Sequence, residues 1–167
     1  SISFVGGGTG FDKYKLLPKY QQSDFHKDYP ETKKYKSIVG ITTYGLYEHL
    51  KNAEYVKEHK IAERHGQNQV EMYQKDFHTL KKAYSQVVSE NPETLFILRT
   101  HPLSKTIKDT EFEECINLPN VFFSIPGNKD LNTFNNNLSV IDCVALSSLW
   151  IAYESTTIME AWLLEKP

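Results

Sequence analysis

Hydrophobic positions fall along this chain in two rhythms. Short, nearly unbroken apolar runs occur at Ser37–Thr43, Thr94–Arg99, Val121–Ile125 and Leu149–Tyr153. They are rich in β-branched and aromatic residues and bounded by glycine, proline or polar clusters, which predicts buried strands. Between the first two runs, Val70, Tyr73, Phe77, Leu80, Tyr84 and Val87 step by three or four. That spacing predicts an amphipathic helix over Asn68–Glu90, ended by Asn91-Pro92. Leu138–Leu146 predicts a short buried helix, and the run after Thr157 a last one. Lys105–Asn117, with Glu111, Glu113 and Glu114, suits a short exposed helix. Leu46–His65 is charged and tyrosine-rich and reads as exposed helical or irregular structure. Leu16–Lys36 and the asparagine-rich Asn132–Asn137 read as loop.

Strands that alternate with helices imply right-handed crossovers and a mainly parallel sheet flanked by helices, an α/β Rossmann-like fold. Residues 1–36 read as a linker or joining segment and 37–167 as a partial Rossmann-like domain. Gly6-Gly7-Gly8-Thr9-Gly10 reads as a flexible turn. It has neither the spacing of a dinucleotide fingerprint nor the Lys-Ser/Thr pair of a phosphate loop. The chain begins at Ser1 inside an apolar run and stops at Glu165-Lys166-Pro167, just after a helix where the next strand is expected, so it reads as a fragment.

Composition narrows the classes. With 167 residues, 40% of them hydrophobic, the chain can bury one substantial core. A formal charge of −2 gives no basic field for nucleic acid. Cys115 and Cys143 lie far apart and show no metal-binding or disulfide spacing. His49, His59 and His65 fit no metal-ligand pattern. No apolar run reaches the ~18 residues of a membrane span. A cytoplasmic location fits, either free or at the inner face of the membrane through peripheral association of the whole protein.

Two polar clusters end predicted strands. Arg99-Thr100-His101-Pro102 follows one, and Glu154-Ser155-Thr156-Thr157, with Glu160 one turn on, follows another. Open α/β sheets bind ligands outside the carboxyl ends of their strands. Guanidinium, imidazole, hydroxyls and helix-start N–H groups can hold phosphate, and a carboxylate one turn into the helix can take a ribose diol. The same residues allow a structural reading. Thr157 and Glu160 have capping-box spacing, Arg99 can cap a strand, and His101 can be a structural histidine before proline. No D-x-D dyad, metal centre or Ser-His-Asp arrangement appears.

Leu98-Arg99-Thr100-His101-Pro102, then Leu118-Pro119-Asn120-Val121, then Tyr153 through Pro167, resemble the C-terminal half of bacterial surface-carbohydrate (capsule or O-antigen) biosynthesis proteins of the GT-B glycosyltransferase fold. More distantly they are similar to bacterial sialyltransferases and CDP-glycerol glycerophosphotransferases. Gly10-Phe11-Asp12-Lys13-Tyr14 resembles the segment joining the two halves in that family, without its proline and arginine. The resemblance implies a metal-independent, cofactor-free glycosyltransferase. It would need a nucleotide-sugar donor, a carbohydrate acceptor and an N-terminal Rossmann half outside this chain, and the chain would be inactive alone. His101 and the Ser155-Thr156-Thr157 turn would hold the donor phosphate, and Glu160 would sit near the ribose. Glu165 stands where that family ends its helix on a left-handed glycine, so the helix end is expected to differ. A nucleotide-sugar epimerase of the same fold and a non-catalytic Rossmann-like assembly domain are the alternatives.

Overall fold

The computed structural model describes residues 20–44, 66–102, 110–125, 138–153 and 155–167, with single residues and short pieces between them. Its centre is a four-stranded, all-parallel sheet in the order β3-β2-β1-β4. The strands are β1 (Ser37–Thr42), β2 (Thr94–Arg99), β3 (Val121–Ser124) and β4 (Leu149–Ala152). Helices α1 (Gln22–Asp28), α2 (Ala53–Glu58), α3 (Gln67–Glu90), α4 (Val140–Leu146) and α5 (Thr157–Leu163) complete the described elements. This is the α/β, Rossmann-like arrangement that the hydrophobic rhythm predicts, on a small sheet.

Period-two alternation sends each strand's side chains to two cores. Ile38, Leu95, Ile97, Phe122 and Trp150 pack with Phe25 of α1, Cys143, Val144 and Leu146 of α4, and Ala161 of α5. Ile41, Phe96, Leu98, Val121 and Phe123 pack on the other face with Tyr84 and Val88 of α3 and with Phe112 and Cys115. Gly40 of β1 belongs to the first face. An added Cβ there would lie 2.1 and 2.2 Å from ring carbons of Trp150, so the buried indole lies directly over the glycine.

Helix α3 begins and ends within one residue of the predicted span. Its last buried position is Val88, while Val87 is 40% exposed. Steps of three and four are both compatible with the periodicity after Tyr84, and the four-residue step keeps the stripe on the sheet. Buried Asn120 fastens the helix end to β2. Its Nδ2 donates to the carbonyls of Val88, Asn91 and Thr94 at 2.9, 3.0 and 3.1 Å. Ser139 and Asp142 form a reciprocal capping box that starts α4.

Three expectations are corrected. The loop expected over Leu16–Lys36 contains α1 and a 3-10 turn over Pro30–Lys34, and Phe25 lies at 0% exposure in the same core as the sheet. Its ring packs edge-on against Phe122 at 5.2 Å. Among its described residues, the segment expected as a short exposed helix forms a 3-10 turn at Glu113–Cys115, and Thr110, Glu111, Phe112 and Cys115 are buried. Its anchor is a phenylalanine set among acids, with Phe112 5.6 Å from the ring of Tyr84. The end of α5 does reach the left-handed region, with Glu165 at φ 56°. Lys166 N–H donates to Ala161 O at 2.9 Å and Glu165 N–H to Trp162 O at 3.0 Å. This is the paired bonding of a Schellman motif without its glycine. The glycine triplet, Asn132–Asn137 and the three histidines at 49, 59 and 65 lie outside the described residues.

Candidate anion site at the carboxyl edge of the sheet

Strand register sets Arg99, a predicted site residue, in line with the last residues of the other three strands. Thr42 is opposite Arg99 on one side and Ala152 on the other, and Arg99 is opposite Ser124. Alternation puts all four on the face covered by α4 and α5. The ladder continues past the strands: Thr43 N–H donates to Arg99 O at 3.0 Å, and Thr100 N–H to Ser124 O at 3.1 Å. The ends of β2 and β4 are separated by two strand spacings, about 10 Å.

Arg99 is half-buried, and its Nη1 donates to Ser124 Oγ at 2.6 Å and to the Leu138 carbonyl at 3.1 Å. Cys143 Sγ lies 3.8 Å from the same nitrogen. Burial pushes that thiol's pKa up, against the opposing pull of Arg99, so the sulfur is neutral. Every described partner of the guanidinium is therefore uncharged. Among the described residues no carboxylate lies within ion-pair reach of it. A half-buried cation held only by neutral acceptors keeps its attraction for an anion, and one of its two terminal nitrogens is the atom that its neighbours use.

His101 is fixed through its backbone: its N–H donates to Thr43 Oγ1 at 2.7 Å, and its carbonyl accepts from Ser104 N–H at 2.9 Å. Buried Thr100 keeps its hydroxyl without a partner. At the second cluster, Trp150 Nε1 donates to Thr157 Oγ1 at 3.0 Å, and Ser155 Oγ lies 3.1 Å from the same oxygen. The turn is thereby tied to the sheet through the indole. The N-cap is Thr156, whose side chain makes no capping bond. The Thr157–Glu160 capping box does not form. Glu160 instead accepts from the hydroxyl of Tyr14 at 2.5 Å through Oε1, and its Oε2 is buried without a partner. Glu154 lies outside the described residues.

Arg99 and His101 thus stand at the carboxyl end of β2 and the Ser155–Thr157 turn follows that of β4, two strand spacings away, while Glu160 is turned to Tyr14. Periodicity alone could have added Thr42 and Ser124, which continue the alternation of Ile38 and Phe122. Glu111 gives no such signal. It reads as one of three surface acids, yet it is 2% exposed and accepts the Tyr44 N–H at 3.0 Å. A separate cleft of about 360 Å³, lined by Tyr20, Gln21, Ser147, Ser148 and Lys166, opens at the amino edge beside β4. It lies at the end of the sheet away from Arg99. No helix among the described residues is long and apolar enough to cross a membrane.

Comparison of the chain with protein-family models, curated proteins and solved structures finds no match.

Proposed function

We propose that this chain is the donor-binding half of a metal-independent glycosyltransferase that acts in surface-polysaccharide synthesis and holds a nucleotide sugar at the carboxyl edge of its sheet. The observation that carries this reading is Arg99, a half-buried guanidinium at a strand end whose partners among the described residues are all neutral. The Ser155–Thr157 turn, held by Trp150, supplies hydroxyls on the same edge. A diphosphate placed there would meet the positive charge of Arg99 and the hydroxyl donors of the turn. An N-terminal Rossmann half and a carbohydrate acceptor are the partners this function needs.

Calorimetric titration of the intact protein with CMP, CDP, UDP and GDP tests the reading. One of them binds, and Arg99→Gln weakens it by about 10- to 150-fold, the worth of a charge-assisted hydrogen bond. Absence of binding, or binding indifferent to Arg99→Gln, overturns the assignment.

A second reading, a non-catalytic assembly domain, draws on the outer face of α5. Ile158, Met159 and Trp162 are 57%, 45% and 71% exposed there and share one face of the helix. On that reading no nucleotide binds, and Trp162→Ser dissociates the assembly.

A further inference from the structure

The strand order β3-β2-β1-β4 puts the reversal of winding between β1 and β4. The connection from β1 to β2 runs through α3 on one face, and that from β3 to β4 through α4 on the other. In sheets of this kind the ligand crevice opens outside the carboxyl ends at that reversal. A tyrosine leaves each of the two strands there. Tyr44 follows Thr42 by two residues, and Tyr153 directly follows Ala152.

The two rings meet edge to face, with centroids 5.6 Å apart and planes at 84°. Both residues are half-buried. Tyr44 leans on Tyr73 of α3 at 5.6 Å. Each tyrosine is also fixed by a carboxylate from another element. The Tyr44 N–H donates to buried Glu111, and the Tyr153 hydroxyl donates to Asp76 Oδ2 at 3.1 Å. Rings held in this way lose little freedom when a flat ligand lies on them.

We propose that Tyr44 and Tyr153 form the wall on which the nucleobase of a bound nucleotide lies. This rests on the donor-site reading above. Charge sets the direction. Asp76 stands on the α3 side and repels phosphate, whereas Arg99 projects on the α4 side and attracts it. A neutral base therefore lies toward α3, and its diphosphate reaches toward Arg99 and the Ser155–Thr157 turn. Glu111 is a positioning residue, since it acts through the backbone of Tyr44. Every base has a stacking face, so this wall favours nucleotides as a class over sugar phosphates.

The test titrates the intact protein with UDP, CDP, GDP and ADP and, separately, with inorganic pyrophosphate. Tyr44→Leu and Tyr153→Leu weaken the bound nucleoside diphosphate by about 5- to 150-fold, the usual worth of a base–aromatic stack, and leave pyrophosphate unchanged. Tyr44→Phe keeps the ring and the backbone bond to Glu111 and weakens binding far less than Tyr44→Leu, and Tyr153→Phe, which keeps the ring but gives up the Asp76 bond, falls between wild type and Tyr153→Leu. Saturation-transfer NMR on the wild-type protein needs no variant: base protons receive more magnetisation than ribose protons. A nucleotide that binds wild type and both leucine variants equally, or a ribose signal exceeding the base signal, overturns the wall and leaves the donor site standing. No nucleotide binding by wild type overturns both.

Discussion

Gly40→Ala adds one methyl group where the sheet has no room for it. The new Cβ would stand 2.1 and 2.2 Å from two ring carbons of Trp150 and 2.7 Å from Ser147 Oγ. Separations below 3 Å force movement, and the obstacle is a rigid ring, 5% exposed, on the neighbouring strand. The indole cannot swing away freely, because its Nε1 is bonded to Thr157 Oγ1 at 3.0 Å. Overpacking of this kind costs about 1–3 kcal/mol, and loss of the indole hydrogen bond adds about 1. Replacing a strand glycine returns about 0.5–1 kcal/mol of backbone entropy. The net loss is about 1–3.5 kcal/mol. With a urea slope of about 2 kcal/mol/M, the unfolding midpoint falls by about 0.5–1.8 M. Urea titration followed by tryptophan fluorescence reads this, and it also shows a red shift of the Trp150 emission in the folded variant. Adding Trp150→Phe frees the space, so the double variant is more stable than the sum of the single losses predicts. A midpoint within about 0.3 M of wild type would refute the packing described here.

Asn120→Ala removes the buried donor that gathers the carbonyls of Val88, Asn91 and Thr94 and leaves a hole where the helix end meets β2. A loss of about 2–3 kcal/mol is expected in the same urea assay, and Asn120→Asp, which sets a carboxylate against those carbonyls, loses more; a neutral Asn120→Ala contradicts this role. Burial, with a smaller push from Glu114, raises the Cys115 pKa to about 12. Above about pH 9 the unfolded chain gives up a thiol proton that the folded chain keeps, so stability falls as pH rises, by up to ~1.4 kcal/mol per unit from this group. Cys115→Ala therefore loses about 2 kcal/mol less than wild type between pH 8 and 10.5, and parallel pH profiles for the two proteins would show that the thiol is not shielded.

The strands and α3 were legible because their burial follows from local pattern. Ser37–Thr42, Thr94–Arg99 and Val121–Ser124 fill both faces of a covered sheet, so nearly every position is apolar or small. What was illegible depends on partners distant in sequence. Helix α1 buries Phe25 alone among its seven residues, too sparse a stripe to register as periodic. Glu111 is buried because Tyr44, 67 positions earlier, gives it an N–H. The Leu118-Pro119-Asn120-Val121 stretch, which carried part of the family resemblance, has at Asn120 an architectural role in this structure. That weakens it as a mark of function and leaves Arg99 and the Ser155–Thr157 turn with most of the functional weight.

That turn also shows how tertiary competition decides what a motif does. Thr157 and Glu160 have the spacing of a capping box, and local physics alone would close it. Two outside groups intervene. The Trp150 indole takes the Thr157 hydroxyl, and Tyr14, 146 positions before Glu160, takes the carboxylate. The helix therefore starts one residue earlier than the motif requires, with Thr157 as its first residue and Thr156 as an N-cap that makes no side-chain bond. Neither Ser155 nor Thr156 has its hydroxyl spent on a strong cap, since the Thr157 N–H reaches Ser155 Oγ only at 3.4 Å. The two groups of the capping box are thus spent on Trp150 and Tyr14, the hydroxyls of Ser155 and Thr156 carry no strong cap, and the residue that ties the turn down is Trp150, whose own place exists only because position 40 is glycine. The stability test at Gly40 is thus also a test of the site: displacing the indole should loosen the Ser155–Thr157 turn along with the sheet.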